Sequence, residues 1–212
     1  MSLFRNEEIT CPLCGKTFSS VVVSSFQMDG SQRGLDGDPH EPLIYDLLHL
    51  CPHCGYVFTD QKKEPDPFTK MLAQSENYQV ILHAEDCPDP ARKSLLKGYL
   101  AEQKEETAEA AVQYLRAYWC FRNNGLSGLH EARDKAIEAM ERYLEDNVDK
   151  NAALALIDLL RQKGAFDEAL ETVNSLGKYL RGEENLLKIA AFEWRLIMEE
   201  DQESHLMMEM NG

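Results

Sequence analysis

The sequence contains no long apolar run, and this absence bears on where the protein works. None of the 212 residues belongs to an uninterrupted apolar stretch of the roughly 18 residues that a membrane-spanning helix needs. The first ten residues, MSLFRNEEIT, lack the apolar core of a secretory signal and carry two acidic side chains. We therefore expect a cytoplasmic protein in a reducing compartment, with no membrane partner.

Basic residues are scarce, which argues against nucleic-acid binding. The chain has 22 Lys and Arg against 37 Asp and Glu, a net charge of −15. Binding to phosphate backbones needs basic surface, and residues 15–50 offer only Lys16 and Arg33. Residues 183–212 hold 2 basic and 8 acidic groups, so we expect any protein or peptide partner to be basic or neutral. Solubility alone also explains an acidic end.

The chain from residue 67 onward predicts helices. Hydrophobic residues make up 43% of the sequence, which is enough for a buried core. Ala, Glu, Leu and Lys, all good helix formers, dominate this part of the chain. The expected helices cover residues 67–83, 89–103, 105–122, 129–146, 150–163, 166–180 and 184–200.

Two of these helices repeat a short pattern. Residues 134–138 (DKAIE) and 167–171 (DEALE) match at an offset of 33 residues. A period near 34 is typical of tetratricopeptide arrays, in which helical hairpins stack on their neighbours. In the best unit, Gly164 would permit the turn, Phe166 would fill the hairpin, and Ala169 would let two helices approach closely. An irregular helical bundle is the alternative.

The first 60 residues contain four of the six cysteines, arranged as two copies of one pattern. Residues 11–15 read CPLCG and residues 51–55 read CPHCG. Two residues between cysteines let both sulfurs face one ion, and the following glycine accepts the positive φ of the turn. Phe18 and Phe58 each follow the second cysteine by four residues as apolar cover. We predict that four thiolates bind one structural zinc ion; the ligands are Cys11, Cys14, Cys51 and Cys54.

Other chemistry remains open for these cysteines. Two disulfides would need an oxidising compartment, and a redox pair of the thioredoxin type would need a βαβ context. An iron–sulfur cluster uses the same ligands. Among the remaining candidates, we expect His53 to face solvent, Cys120 to lie in the core, and Cys87 not to act as a nucleophile.

The motifs resemble a bacterial family of uncharacterised proteins. The resemblance rests on CPLCG at residues 11–15, CPHCGY at residues 51–56 and YLRAYW at residues 114–119. It implies the same four metal ligands and a tetratricopeptide-like C-terminal half. It supplies no activity.

The expected fold is mainly α, with a small zinc-ribbon-like β module before a tetratricopeptide-like helical domain. We place the β module at residues 1–60, a linker with connecting helices at 61–104, and the helical domain at 105–212. The expected function is that of a non-enzymatic zinc-binding protein whose helical repeats form a scaffold for protein–protein interaction. A thiol-based redox or metal sensor is the alternative. Neither the partner nor the oligomeric state follows from the sequence.

Overall fold

The protein is mainly helical, as predicted. The computed structural model describes residues 3–25, 33–40 and 47–211. These residues form eight α-helices and two small antiparallel sheets. The chain divides into two compact units, the first made of residues 1–27 with 41–129 and the second of residues 28–40 with 130–212. No helix in the described ranges has both the length and the apolar character to cross a bilayer.

The β module consists of two hairpins. Strand β1 (Leu3–Thr10) pairs with β2 (Thr17–Ser25), and β3 (His49–Leu50) pairs with β4 (Val57–Phe58). Strand β2 contains the β-branched run at residues 21–23 (VVV), a sequence that favours a strand. Sequence reasoning missed β1, because NEEI at residues 6–9 shows no apolar alternation.

The apolar run at residues 43–50 (LIYDLLHL) is compatible with a strand or with one helical turn. Only 47–50 of these residues are described, and the last two form β3. Residues 27–42, rich in Gly, Asp and Pro, predict a loop, and of these only 33–40 are described.

The helices lie close to their predicted positions. The bounds are α1 Pro67–Leu72, α2 Glu76–Leu82, α3 Asp89–Gln103, α4 Thr107–Asn123, α5 Leu129–Asp146, α6 Lys150–Lys163, α7 Phe166–Leu176 and α8 Glu184–Met198. Three of these helices, α3, α5 and α6, begin and end where the sequence predicted.

The single helix predicted for residues 67–83 is wrong, because the structure has two helices there. Ser75 separates them. Its hydroxyl donates to the carbonyl of Leu72 at the end of α1 and accepts the N–H of Tyr78 in α2. A serine in this position caps the second helix and stops the first. Helix α7 is also shorter than the helix predicted for residues 166–180, because the chain passes into a 3₁₀ turn at Gly177–Tyr179.

One hydrophobic core joins the β module to the first helices of its unit. It contains residues from both hairpins and from α1, α2 and α3: Ile9, Cys11, Leu48, Cys51, Tyr56, Val57, Phe58, Leu72, Ala73, Tyr78, Leu96, Tyr99 and Leu100. The core therefore continues across residue 60. The boundaries at residues 60 and 104 stay a prediction, because packing does not reveal which segments fold alone.

In the second unit, α7 packs against both α6 and α8. Gly164 ends α6 with a φ of +85°, and the N–H groups of Gly164 and Ala165 return to carbonyls in the last turn of α6. Ala169 of α7 is 0% exposed. The complete burial of Ala169 is consistent with the prediction that two helices approach each other closely at this residue.

A buried arginine holds the C-terminal segment of this unit. The Arg161 side chain is fully buried, donates to the carboxylates of Asp158 and Glu193, and lies 2.8 Å from the carbonyl oxygens of both Asp201 and Glu203. Burial raises the pKa of Glu193 well above its usual value, although Arg161 acts to lower it.

Burial of Ala169 makes Ala169→Arg strongly destabilising. The substitution forces a long charged side chain between packed helices, so we expect a loss of about 3 kcal/mol or more. Ala191→Arg is the matched control, because Ala191 lies on the exposed face of α8 and such changes stay within about 0.5 kcal/mol. Urea unfolding followed by circular dichroism measures both. Equal stability of the two variants would contradict the packing described for α7.

Candidate metal centre

The two CPxCG segments adopt the same backbone turn. In the first, the N–H of Cys11 donates to Lys16 O at 2.9 Å, and the N–H of Gly15 donates to Cys11 O at 2.9 Å. In the second, Cys51 donates to Tyr56 O at 3.0 Å, and Gly55 donates to Cys51 O at 2.9 Å. Each turn connects the two strands of one hairpin. We call residues 11–15 the first knuckle and residues 51–55 the second knuckle.

The glycines that close the knuckles have the backbone conformation predicted for them. Gly15 has a φ of +72° and Gly55 a φ of +70°, a region that other residues enter only with strain. Gly55 has a second constraint, since a Cβ built there would lie 2.2 Å from Cδ2 of Leu82 in α2. The same addition at Gly15 meets no atom within 4 Å.

The structure brings the four predicted ligand residues together. The Sγ atoms of Cys11 and Cys54 are 3.7 Å apart, as are those of Cys14 and Cys51, and all four sulfurs lie within 4.8 Å of one another. A tetrahedron of metal–sulfur bonds of about 2.3 Å has edges of about 3.8 Å. The spacing therefore fits one tetrahedrally bound metal ion. In the described ranges, this is the one group of three or more Cys, His, Asp or Glu close enough to bind a metal.

Backbone amides point at the sulfurs. The N–H groups of Leu13 and Cys14 donate to Cys11, that of Lys16 to Cys14, and that of Tyr56 to Cys54. Amide donors of this kind stabilise thiolates and orient them for a metal.

Burial and hydrogen bonding act on the thiols in opposite directions. Burial raises the pKa of Cys11 and of Cys54. At Cys14, desolvation also acts to raise the pKa, but the N–H of Lys16 and the three other cysteines outweigh it and the net pKa is lowered. A metal ion would supply the positive charge that four adjacent thiolates require.

The site has a buried side and an open side. Cys11 and Cys51 are 0% and 1% exposed, Cys54 is half-buried, and Cys14 is exposed. On the buried side, the rings of Phe18 and Phe58 meet edge to face at 6.3 Å. Phe58 belongs to the same hydrophobic core as Cys11 and Cys51, and Phe18 packs against this core.

Tyr78 of α2 connects the second knuckle to the helices. Its hydroxyl donates to Gly55 O at 2.9 Å and accepts the N–H of Val57 at 3.1 Å. The residue is completely buried, and burial raises the pKa of its phenol, so it stays a neutral donor. Sequence reasoning missed Tyr78, because no motif connects it to a cysteine more than 20 residues away.

The other candidate residues lie outside the sulfur cluster. His53 is exposed, as predicted, and Nδ1 of His49 lies 2.9 Å from Oγ of Ser20. His40 belongs to the second unit, where it lies 3.8 Å from the Asp38 carboxylate. Cys87 and Cys120 are buried, and burial raises the pKa of both thiols. Cys120 is therefore a core residue, as predicted.

Comparison with known families assigns the chain. The model of a family described as uncharacterized protein conserved in bacteria (DUF2225) matches residues 4–158. The chain belongs to this family. The DUF2225 match includes both knuckles and Tyr78, and it ends within α6. No curated protein and no solved structure gives a significant match to the chain.

The two knuckle glycines allow a matched test of how α2 holds the second knuckle. Gly15→Ala and Gly55→Ala both introduce strain of about 1 kcal/mol from the positive φ. Gly55→Ala adds the clash with Leu82, so we expect it to destabilise the protein further and to weaken metal binding. Urea unfolding and competition with a chromogenic chelator measure the two effects.

A double variant separates the clash from the backbone strain. In a Leu82→Ala background, Gly55→Ala should cost no more than Gly15→Ala does, because the obstructing side chain has gone. If the extra cost of Gly55→Ala persists without Leu82, the contact between α2 and the knuckle does not explain it.

Proposed function

We propose that this protein is a cytoplasmic, non-enzymatic zinc-binding protein whose helical repeats form a scaffold for protein–protein interaction. The observation that carries the metal half of the proposal is the set of four sulfurs at tetrahedral spacing. Thiolates select zinc or iron–sulfur clusters among the common metal centres. Four cysteines from two knuckles form the closed ligand set of structural zinc sites.

A closed site supports a structural role over a catalytic one. Catalytic zinc keeps a coordination position for water or substrate, and four cysteine ligands leave none. The buried pair, Cys11 and Cys51, belongs to the core that also contains Tyr78. Zinc bound there would stabilise the core of the first unit directly, because binding energy at such sites contributes to folding.

The helical half supports the scaffold proposal through its packing. α7 lies against α6 and α8, and α6 also contacts α8, the neighbour pattern of a tetratricopeptide hairpin followed by the next helix. The left-handed turn at Gly164 and the complete burial of Ala169 support such a repeat. Stacked repeats commonly expose an extended surface for a partner.

The exposed face of α8 is our candidate for part of that surface. Leu187, Trp194 and Met198 are 42%, 47% and 57% exposed, and their spacing puts them on one stripe of the helix. Residues 130–212 carry 10 basic and 19 acidic groups. The partner should accordingly combine apolar side chains with a basic or neutral charge.

A thiol-based redox or metal sensor is the second candidate. The exposure of Cys14 favours it, since an accessible metal-bound thiolate is open to oxidants. The two candidates differ in how easily the metal leaves.

Metal analysis tests the central claim. We expect one zinc per chain in protein purified without chelators, with Cys51→Ser lowering the zinc content and the free energy of unfolding by several kcal/mol. Cys120→Ser is the control, because this equally buried cysteine lies outside the cluster and its loss should leave the zinc content unchanged. Protein without bound metal, or with iron and sulfide, would contradict the zinc assignment. Release of zinc by equimolar peroxide would favour the sensor.

Capture of partners from bacterial cytosol tests the scaffold. The full chain should retain partners that Trp194→Glu loses, because the charge disrupts an apolar contact. Val112→Glu, a change at a similarly exposed position on α4 (43% exposed), should retain them. Loss in both variants, or in neither, would count against α8 as the partner surface.

A further inference from the structure

The C-terminal residues form a strap that pairs with a segment far away in the sequence. We call residues 201–211 the C-terminal strap. An antiparallel bridge joins its Leu206 to Gly34, and both partners of this bridge belong to the second unit. Gly34 lies between the two knuckles in the sequence. The metal and scaffold functions proposed above do not use this pairing.

The first part of the strap is anchored by a charge that does not titrate. Arg161 is fully buried, and its Nη1 donates to Asp201 O and to Glu203 O, both at 2.8 Å. An arginine side chain in a protein keeps its proton at every physiological pH. This anchor therefore holds the strap as far as residue 203 whatever the pH.

The second part of the strap is organised around one histidine. Nδ1 of His205 lies 2.7 Å from Oε2 of Glu209, and Nε2 lies 3.2 Å from Oδ2 of Asp201. The His205 side chain is 17% exposed, and its ring meets that of Phe192 in α8 edge to face at 6.0 Å. The other oxygen of Glu209 accepts the N–H of Leu206. The histidine and its two carboxylates thus fix the backbone at the bridge.

The two contacts of the His205 ring are both hydrogen bonds only when both ring nitrogens carry a proton. A carboxylate only accepts, whereas a neutral imidazole has one N–H and one lone pair. The charged ring can donate to Asp201 and Glu209 at the same time. The neutral ring turns a lone pair toward one of these two carboxylates.

The two carboxylates stay charged while histidine titrates. At Glu209, the hydrogen bond with His205 is the main cause of a lowered pKa. At Asp201, desolvation acts to raise the pKa, but the N–H of Glu203 and the His205 side chain lower it. A lowered carboxyl pKa keeps the acceptor charged above the usual range near pH 4. Deprotonation of the ring is therefore the change that the strap meets near neutral pH.

The elements packed against the strap carry charges of both signs. They are Asp158 and Arg161 of α6, Glu193 and Arg195 of α8, and Arg33, Asp36 and Asp38 of the paired segment. Among them, Glu193 has a pKa that burial raises well above its usual value, so its charge can also change as the pH rises. A test must separate Glu193 from His205.

We propose that His205 is a proton-dependent latch for the C-terminal strap. The charged ring donates to Asp201 and Glu209 and holds residues 204–211 against the segment that contains Gly34. When the ring releases its proton to solvent, one hydrogen bond is replaced by a lone pair that faces a carboxylate, and this part of the strap detaches. The latch is closed at pH values at which the ring is charged, and it opens as the pH rises through the titration of the ring.

Amide hydrogen exchange of the full-length protein tests the latch from about pH 5 to about pH 9, a range that includes the titration of most histidines. The N–H of Leu35 donates to His205 O and that of Met207 to Arg33 O, so both amides report the closed strap. After correction for the intrinsic pH dependence of exchange, their protection should fall about tenfold with rising pH. This fall should follow the titration of His205, read from the NMR signals of its ring. Constant protection while the ring titrates would overturn the proposal.

A pair of histidine variants separates the ring from its surroundings. In His205→Gln, protection of Leu35 and Met207 should be low and nearly independent of pH, because no titrating group remains between the two carboxylates. His130→Gln, at an exposed histidine of the same unit, should reproduce the curve of the unchanged protein. If His205→Gln still loses protection as the pH rises, another group such as Glu193 is the switch and the proposal is wrong.

Glu209→Gln tests the role of the lone pair. The glutamine oxygen can still accept the N–H of Leu206, and its amide N–H can donate to an unprotonated Nδ1 of His205. The neutral ring then keeps a partner on this side, so the fall in protection between low and high pH should shrink to less than about threefold. A fall as large as that of the unchanged protein would contradict the latch.

Discussion

The first unit depends on bringing four sulfurs from two distant knuckles to tetrahedral spacing. Cys14 and Cys51 are separated by 36 residues of sequence, yet their Sγ atoms lie 3.7 Å apart. Metal binding needs thiolates, but burial raises the pKa of the Cys11 and Cys54 thiols, so a bound cation is what would keep all four sulfurs deprotonated. Two of the cysteines also belong to the hydrophobic core. A metal ion bound by the four sulfurs would therefore also join the two knuckles whose cysteines pack in this core.

Tyr78 extends this constraint into the helices. A completely buried hydroxyl needs hydrogen-bond partners, and both partners of Tyr78 come from the second knuckle and the residue that begins β4. The position of α2 is thereby connected to the turn that holds Cys51 and Cys54. The close approach of Leu82 to Gly55 also connects α2 to the second knuckle, because any side chain at Gly55 would push the helix away.

Local patterns account for what the sequence predicted well. CPxCG specifies a turn by itself, so the knuckles, their glycines and the four clustered cysteines could be predicted from residues close together. Helix α6 is similarly local, since good helix formers fill it, Asp149 caps its start and Gly164 ends it. The break at Ser75 was missed because good helix formers surround it. The contacts of Tyr78 with the second knuckle and of Arg161 with Glu193 were missed because these partners are distant in sequence, and nothing in a single sequence indicates which buried polar groups will meet.

Amide hydrogen exchange of metal-loaded and metal-stripped protein tests the central claim most directly. The account predicts that removing the metal accelerates exchange at Cys51 and Gly55 in the second knuckle, and at Val57, whose N–H bonds to Tyr78. Metal bonds to Cys51 and Cys54 would hold the turn on which these amides depend, and removing the metal removes those bonds. Unchanged protection at all three positions after complete metal removal would show that the knuckles need no metal, and would contradict the account.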